Sequence, residues 1–143
     1  MLLSVLASNA AAQDASMNPN YGTLPLEGGF VPNPHNVSIL AGGDMQASET
    51  LSGCVGWITR QPDFRLTYTA NQYTGPLTVS VVASADSTLI IHTPNGQWQC
   101  NDDANGFNPS VTFQQPASGD YAIWIGSYVD EDVEGVLSFS ETR

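Results

Sequence analysis

Lysine is absent from this chain, and only three arginines stand against 14 aspartates and glutamates, so its 143 residues carry a formal charge of -11. A phosphate backbone is recognised by clustered cations, and none can be assembled from this composition; nucleic acid is ruled against as a partner, and an anionic membrane surface is disfavoured by the same charge. No apolar run approaches the roughly 18 to 20 residues needed to cross a bilayer as a helix. Helix-period stretches are missing beyond the first residues. The signatures of common hydrolases are missing too. No G-x-S-x-G elbow occurs, and Gly42-Gly43-Asp44 and Ser118-Gly119-Asp120 hold the letters of a trypsin-like G-D-S-G-G site in the wrong order.

What is present fits one domain with a single core. The first residues, MLLSVLASNAAAQ, run from a short apolar stretch into an A-x-A-like cleavage signal at Ala10-Ala11-Ala12. Residues 1–12 read as the back half of a secretory signal peptide, and a secreted or periplasmic location is expected. In an oxidising compartment two cysteines form a disulfide more naturally than a metal pair or a nucleophile, so Cys54 is expected to pair with Cys100.

Residues 13–36 are rich in proline, glycine and asparagine and read as an extended arm, in which Tyr21, Leu24, Leu26, Phe30 and Val31 are placed to pack along a sheet edge. From Val37 to the C-terminus the pattern is period two, the mark of strands with one buried face. Expected strands lie at 37–40, 52–59, 63–70, 76–84, 87–94, 95–100, 110–115, 119–128 and 135–141, with a hairpin-like turn at Pro94-Asn95-Gly96. Turn residues punctuate the chain every eight to twelve residues or so, and β-branched and aromatic residues fill the runs. The fold class expected for 37–143 is all-β: an antiparallel two-sheet β-sandwich of jelly-roll or Greek-key type. Tyr121, Ile123 and Ile125 are expected to face the core. Trp124, on the opposite face, is covered by the arm or exposed for binding.

From ASADSTLIIHTPNGQWQCNDDANG through NPSVTFQQPASGDYAIWIGSY the chain resembles the bacterial pre-peptidase C-terminal domain. The matching elements are Asp86 with Leu89, Pro94 with Gly96, Asn101 with Asp102 and Asp103, and Ser118-Gly119-Asp120-Tyr121 leading to Ile123, Ile125 and Gly126. The resemblance implies a secreted β-sandwich appended in larger proteins to proteases, serving secretion, folding or substrate attachment, with calcium or matrix polymers bound by some relatives. The catalytic domain is then a separate piece of chain. Small stand-alone proteins with similar motifs are often labelled peptidases.

Asn101-x-Asp103-x-Asn105-Gly106 matches the first half of a calcium loop, in which alternate side-chain oxygens converge on a hard cation. Its twelfth position is Thr112 where a bidentate glutamate belongs, so calcium would need further ligands, for which Asp102 and Asp86 are the candidates. The competing reading is an Asx-rich turn whose side chains bond their own backbone. Asp130, Asp132, Glu134, Gly135 and Glu141 fall in the full calcium-loop register, but strands rather than helices flank them, and a solvated acidic hairpin loop is expected. His35 reads as a turn residue in the arm, and His92 is expected to point away from the core.

Three functions follow. The first is a secreted, non-catalytic module that binds an extracellular protein or polymer, with calcium as its one cofactor candidate and Trp98, Trp124 and Tyr128 as contact aromatics. The second is self-association, the arm adding a strand to a neighbouring sheet. The third is a peptidase-related hydrolase, which no motif supports.

Overall fold

The computed structural model describes residues 12–104 and 106–142. The signal-peptide reading therefore falls almost wholly outside the described residues. Among the described residues eleven strands form two sheets: β1 (Thr23–Glu27), β2 (His35–Ala41), β3 (Met45–Gln46), β4 (Trp57–Ile58), β5 (Phe64–Thr69), β6 (Leu77–Ala83), β7 (Ser87–His92), β8 (Trp98–Asn101), β9 (Ser110–Phe113), β10 (Gly119–Ser127) and β11 (Val133–Glu141). One sheet runs β1-β5-β10-β7-β8, with the short β3-β4 pair joined to the end of β10 through Ser127 opposite Trp57; the other runs β2-β11-β6-β9. All pairings are antiparallel except β1 with β5. The chain is an antiparallel-dominated β-sandwich.

The main core fills the space between the sheets. Phe64, Leu66 and Tyr68 of β5, Leu89 and Ile91 of β7, and Tyr121, Ile123 and Ile125 of β10 meet Leu77, Val79 and Val81 of β6 and Leu137 and Phe139 of β11. These are the alternate residues that period-two reading assigns to one face. The Pro94-Asn95-Gly96 turn forms as expected, with Thr93 N–H donating to the Gln97 carbonyl at 2.8 Å and Gly96 at φ 82°. Two elements of the family-like pattern meet there. A Cβ on Gly119, itself at φ 134°, would stand 2.7 Å from the Pro94 side chain, so Gly119 leaves the room that lets the β7–β8 turn pack on the start of β10.

A second, smaller core lies on the outer face of the larger sheet. Trp124, fully buried, is surrounded by Ile58, Ile90, Ala122, Ala47 and Cys54, with Ala15, Leu51, Trp98 and Cys100 packed around them. The disulfide Cys54–Cys100, expected from the sequence, is present with Cα atoms 5.7 Å apart. It clamps the loop that holds the short 3-10 helix Ala47–Glu49 over the indole. Burial on both faces explains why β7 and β10 read as near-continuous apolar runs.

The segment expected as an extended arm is folded onto its own domain. Its residues 23–27 pair in parallel with β5 from Thr23 opposite Arg65 to Glu27 opposite Thr69. Upstream, Arg65 donates to the carbonyls of Ala15 at 2.6 Å and Met17 at 2.9 Å, and Asn20 donates to Asp63 at 2.9 Å. Downstream, Glu141 accepts from Gly29 N–H at 2.8 Å, while Asn33 donates to the Glu141 carbonyl at 2.8 Å. Adding β1 to a neighbour would mean leaving its own sheet. Pro25, which has no N–H, sits where an edge strand tolerates it.

Candidate functional site

Three loops meet at one end of the sandwich: β6–β7 around Asp86, β8–β9 across 102–109, and β10–β11 across 128–132. Backbone bonds tie them together. Ser87 N–H donates to the Phe107 carbonyl at 3.3 Å, Tyr128 N–H to the Asp86 carbonyl at 3.1 Å, and Asn108 Oδ1 accepts from Ala83 N–H at 3.2 Å. The sequence-predicted Asp86, Asp102 and Asp103 are brought together here. Burial first, then the charges of Asp102 and Asp103, push the Asp86 carboxyl above the usual carboxylate range.

Asn101 does what an Asx turn does. Its Oδ1 accepts from Ala104 N–H at 3.0 Å and from Ser110 N–H at 3.2 Å, closing the loop and tying it to β9. Both lone pairs are thereby occupied, so its amide oxygen is removed from the proposed ligand set. Asn105 lies outside the described residues. Among the described residues no group of three or more histidine, cysteine, aspartate or glutamate side chains stands where it could hold a metal ion.

The aromatic candidates separate. Trp124 is fully buried, so it cannot contact a partner, because the second core and the disulfide loop cover the face it points to. Trp98 is partly buried, its ring 5.3 Å from that of Trp124 and 4.6 Å from that of His92. Tyr128 is 54% exposed. Sequence reasoning missed Phe107, at 67% the most exposed phenylalanine among the described residues, and Val129 beside Tyr128. The signal was available: a lone aromatic between Gly106 and Asn108 has no strand pattern to bury it. Asp130, Glu131 and Asp132 are exposed in the β10–β11 loop, which is solvated as expected but is not a hairpin, because β10 and β11 lie in different sheets.

At the opposite end of β7 and β10, His92 lies in a cleft of about 690 Å³ with Ser16, Arg65, Ser118 and Asp120. A serine, a histidine and an aspartate thus share one concavity, but no hydrogen bond joins them to one another. Ser118 Oγ accepts from Ala70 N–H at 2.8 Å, Asp120 Oδ1 accepts from the Thr67 hydroxyl at 2.7 Å, and the imidazole packs on Trp98. No serine–histidine hydrogen bond is in place among the described residues. His35 begins β2, in register with Phe139.

No family model matches this chain. No curated protein matches it either. Among solved structures it is similar to the pre-peptidase C-terminal domain of a collagenase from Bacillus anthracis, at 15% identity and a TM-score of 0.48, with 87% of this chain and 100% of that one covered. It is also similar to a periplasmic inhibitor of g-type lysozyme from Aeromonas hydrophila, at 17% identity and a TM-score of 0.40, over 84% of this chain and 97% of that one. The sandwich itself is read from the strand pairing above.

Proposed function

We propose that this chain is a secreted or periplasmic, non-catalytic β-sandwich module whose acidic end docks a partner protein with a cationic surface. One observation carries the reading. Exposed Phe107 and Tyr128 are fixed by their backbones to the adjacent residues Ser87 and Asp86, and the same three loops carry Asp86, Asp102, Asp103, Asp130, Glu131 and Asp132. Aromatic anchors inside a charged rim are the anatomy of a protein-binding surface: the rings supply desolvated contact area, and the rim supplies steering and selectivity. The disulfide supports an oxidising compartment. The separate commitments of Ser118, His92 and Asp120 support a non-catalytic role.

The test is binding to a panel of secreted proteins of high and low isoelectric point, a g-type lysozyme among them. Cationic members are expected to bind with an on-rate that falls as salt rises, and Phe107→Ala with Tyr128→Ala to weaken the complex by about tenfold or more. Equal binding of anionic members, or a double variant with unchanged affinity, contradicts the reading.

Calcium belongs to the same proposal. As placed, Asp86, Asp102 and Asp103 do not converge on one metal position, so calcium would have to draw their loops together, relieving the charge repulsion that adds to burial in raising Asp86. At ten times its dissociation constant calcium is expected to raise the thermal midpoint by about 4 °C, and Asp103→Ala to remove the rise. An unchanged midpoint leaves these residues a charged rim alone.

A further inference from the structure

The second concavity lies at the far end of the sandwich from the acidic loops, and it gathers the scarcest chemistry in the chain. Strand pairing sets a row across the outer face of the larger sheet: Arg65 on β5 stands opposite Ala122 on β10, Ala122 opposite His92 on β7, and His92 opposite Trp98 on β8. The small side chain of Ala122 makes a floor between the guanidinium and the imidazole, and the indole stands beyond the imidazole at 4.6 Å between ring centres. Ser16 and Ser118 add hydroxyls and Asp120 a carboxylate to the walls.

Arg65 is anomalous in so acidic a protein. Its hydrogen-bond partners among the described residues are two carbonyls, those of Ala15 and Met17, both bonded through one terminal nitrogen. Nε and the other terminal nitrogen keep their donors, and no carboxylate pairs with the charge among the described residues. Asp14, which comes before the Ala15 carbonyl, is turned to its own backbone: it accepts from Ser16 N–H at 2.9 Å and Ser16 Oγ at 2.6 Å. A guanidinium presents planar paired donors matched to a carboxylate, and a neutral imidazole adds one N–H.

We propose that this cleft binds a hydroxylated carboxylate of the uronic-acid class, its carboxylate received by Arg65 and His92 and its hydroxyls by Asp120, Ser16 and Ser118. Ala122 and Gly119 bring little side-chain bulk to the cleft, which leaves room for a pyranose ring among the polar groups of Ser16, Arg65, His92, Ser118 and Asp120. Aspartate, serine and arginine side chains placed around one cavity satisfy the several hydroxyls that a sugar must desolvate. This site is distinct from the acidic end, so either proposal stands if the other fails.

D-glucuronate is the probe, followed by backbone amide NMR of the full chain, with D-glucuronamide as the uncharged control and an N-acetylated dipeptide as the peptide carboxylate. A ligand of about a dozen heavy atoms at ordinary efficiency gives a dissociation constant of about 1 mM. Saturable shifts at Ser16, Gly119 and Ala122 are expected with glucuronate, at least tenfold weaker with the amide and with the dipeptide. Arg65→Gln is expected to abolish them. Because Arg65 also pins the N-terminal segment, His92→Ala is the second variant: it leaves the Arg65 bonds to Ala15 and Met17 in place and is expected to weaken binding about threefold to tenfold. Equal response to the amide, tighter binding of the dipeptide, no response at tens of millimolar probe, or affinity unchanged in both variants overturns the proposal.

Discussion

Replacing both cysteines with alanine is expected to lower the unfolding free energy by about 4 kcal/mol, the chain-entropy value for a loop of this length. The Cys54–Cys100 bridge spans 46 residues and joins a loop with little regular structure of its own to β8 at the rim of the larger sheet. Its loss releases part of the cover over Trp124, to which Ala47, Leu51 and Cys54 of that loop belong. A fall in thermal midpoint of about 10–15 °C follows from that free energy for a domain of this size. Tryptophan emission should shift to longer wavelength at temperatures where far-ultraviolet circular dichroism still reports the sheets, because the second core opens before the first. A midpoint within about 2 °C of the native protein, or sheets and indole lost together, contradicts a separable second core.

The second large effect is on pH dependence. Asp63 is 1% exposed, its Oδ2 accepting from Ile125 N–H at 2.8 Å and its Oδ1 from Asn20 at 2.9 Å. Burial pushes its carboxyl up to about 7, against the pull of those two bonds. The folded chain therefore holds a proton between about pH 4 and 7 that the unfolded chain releases. Its contribution to stability is fully present below the unfolded value of 3.8 and is lost as pH rises through 7. At 1.36 kcal/mol per pH unit, that interval corresponds to about 4 kcal/mol. Urea unfolding at pH 5 and pH 8 is expected to show the native chain losing about 2 to 3 kcal/mol, the part of that interval above pH 5, and Asp63→Asn losing much less. Parallel pH profiles for the two proteins would place the titration elsewhere among the acids.

The sandwich was legible wherever one face of a strand is buried and the other wet. Phe64, Leu66 and Tyr68, and Leu77, Val79 and Val81, alternate with polar neighbours and fall on the inner faces as their spacing implies. β1 was not legible, because Pro25 sits between Leu24 and Leu26 and its pairing is with a strand about 40 residues downstream. β3, two residues long, is too short for any period, and of the strand expected at 52–59 only Trp57 and Ile58 form one, as β4, the residues before them being the loop held by the disulfide. The run Tyr121-Ala122-Ile123-Trp124-Ile125 did announce a strand apolar on both faces, but what covers its second face depends on a disulfide loop whose position no periodicity encodes.

The sites divide in the same way. The acidic residues around Asp86 share an end because all three loops cross from one sheet to the other there, and the consecutive strands that flank each loop were readable. The Arg65–His92 row was not, since it depends on β10 lying between β5 and β7. Phe107 escaped because a single exposed ring in a turn has no pattern.

Hydrogen–deuterium exchange of the chain with and without a bound cationic partner measures the docking surface directly. Protection confined to the loops at 84–87, 102–109 and 128–132, with the Arg65–His92 cleft and the outer face of β6 and β11 unchanged, is the expected footprint. Protection centred on the cleft or the sheet face, with the three acidic loops exchanging as in the free protein, would contradict docking at the acidic end.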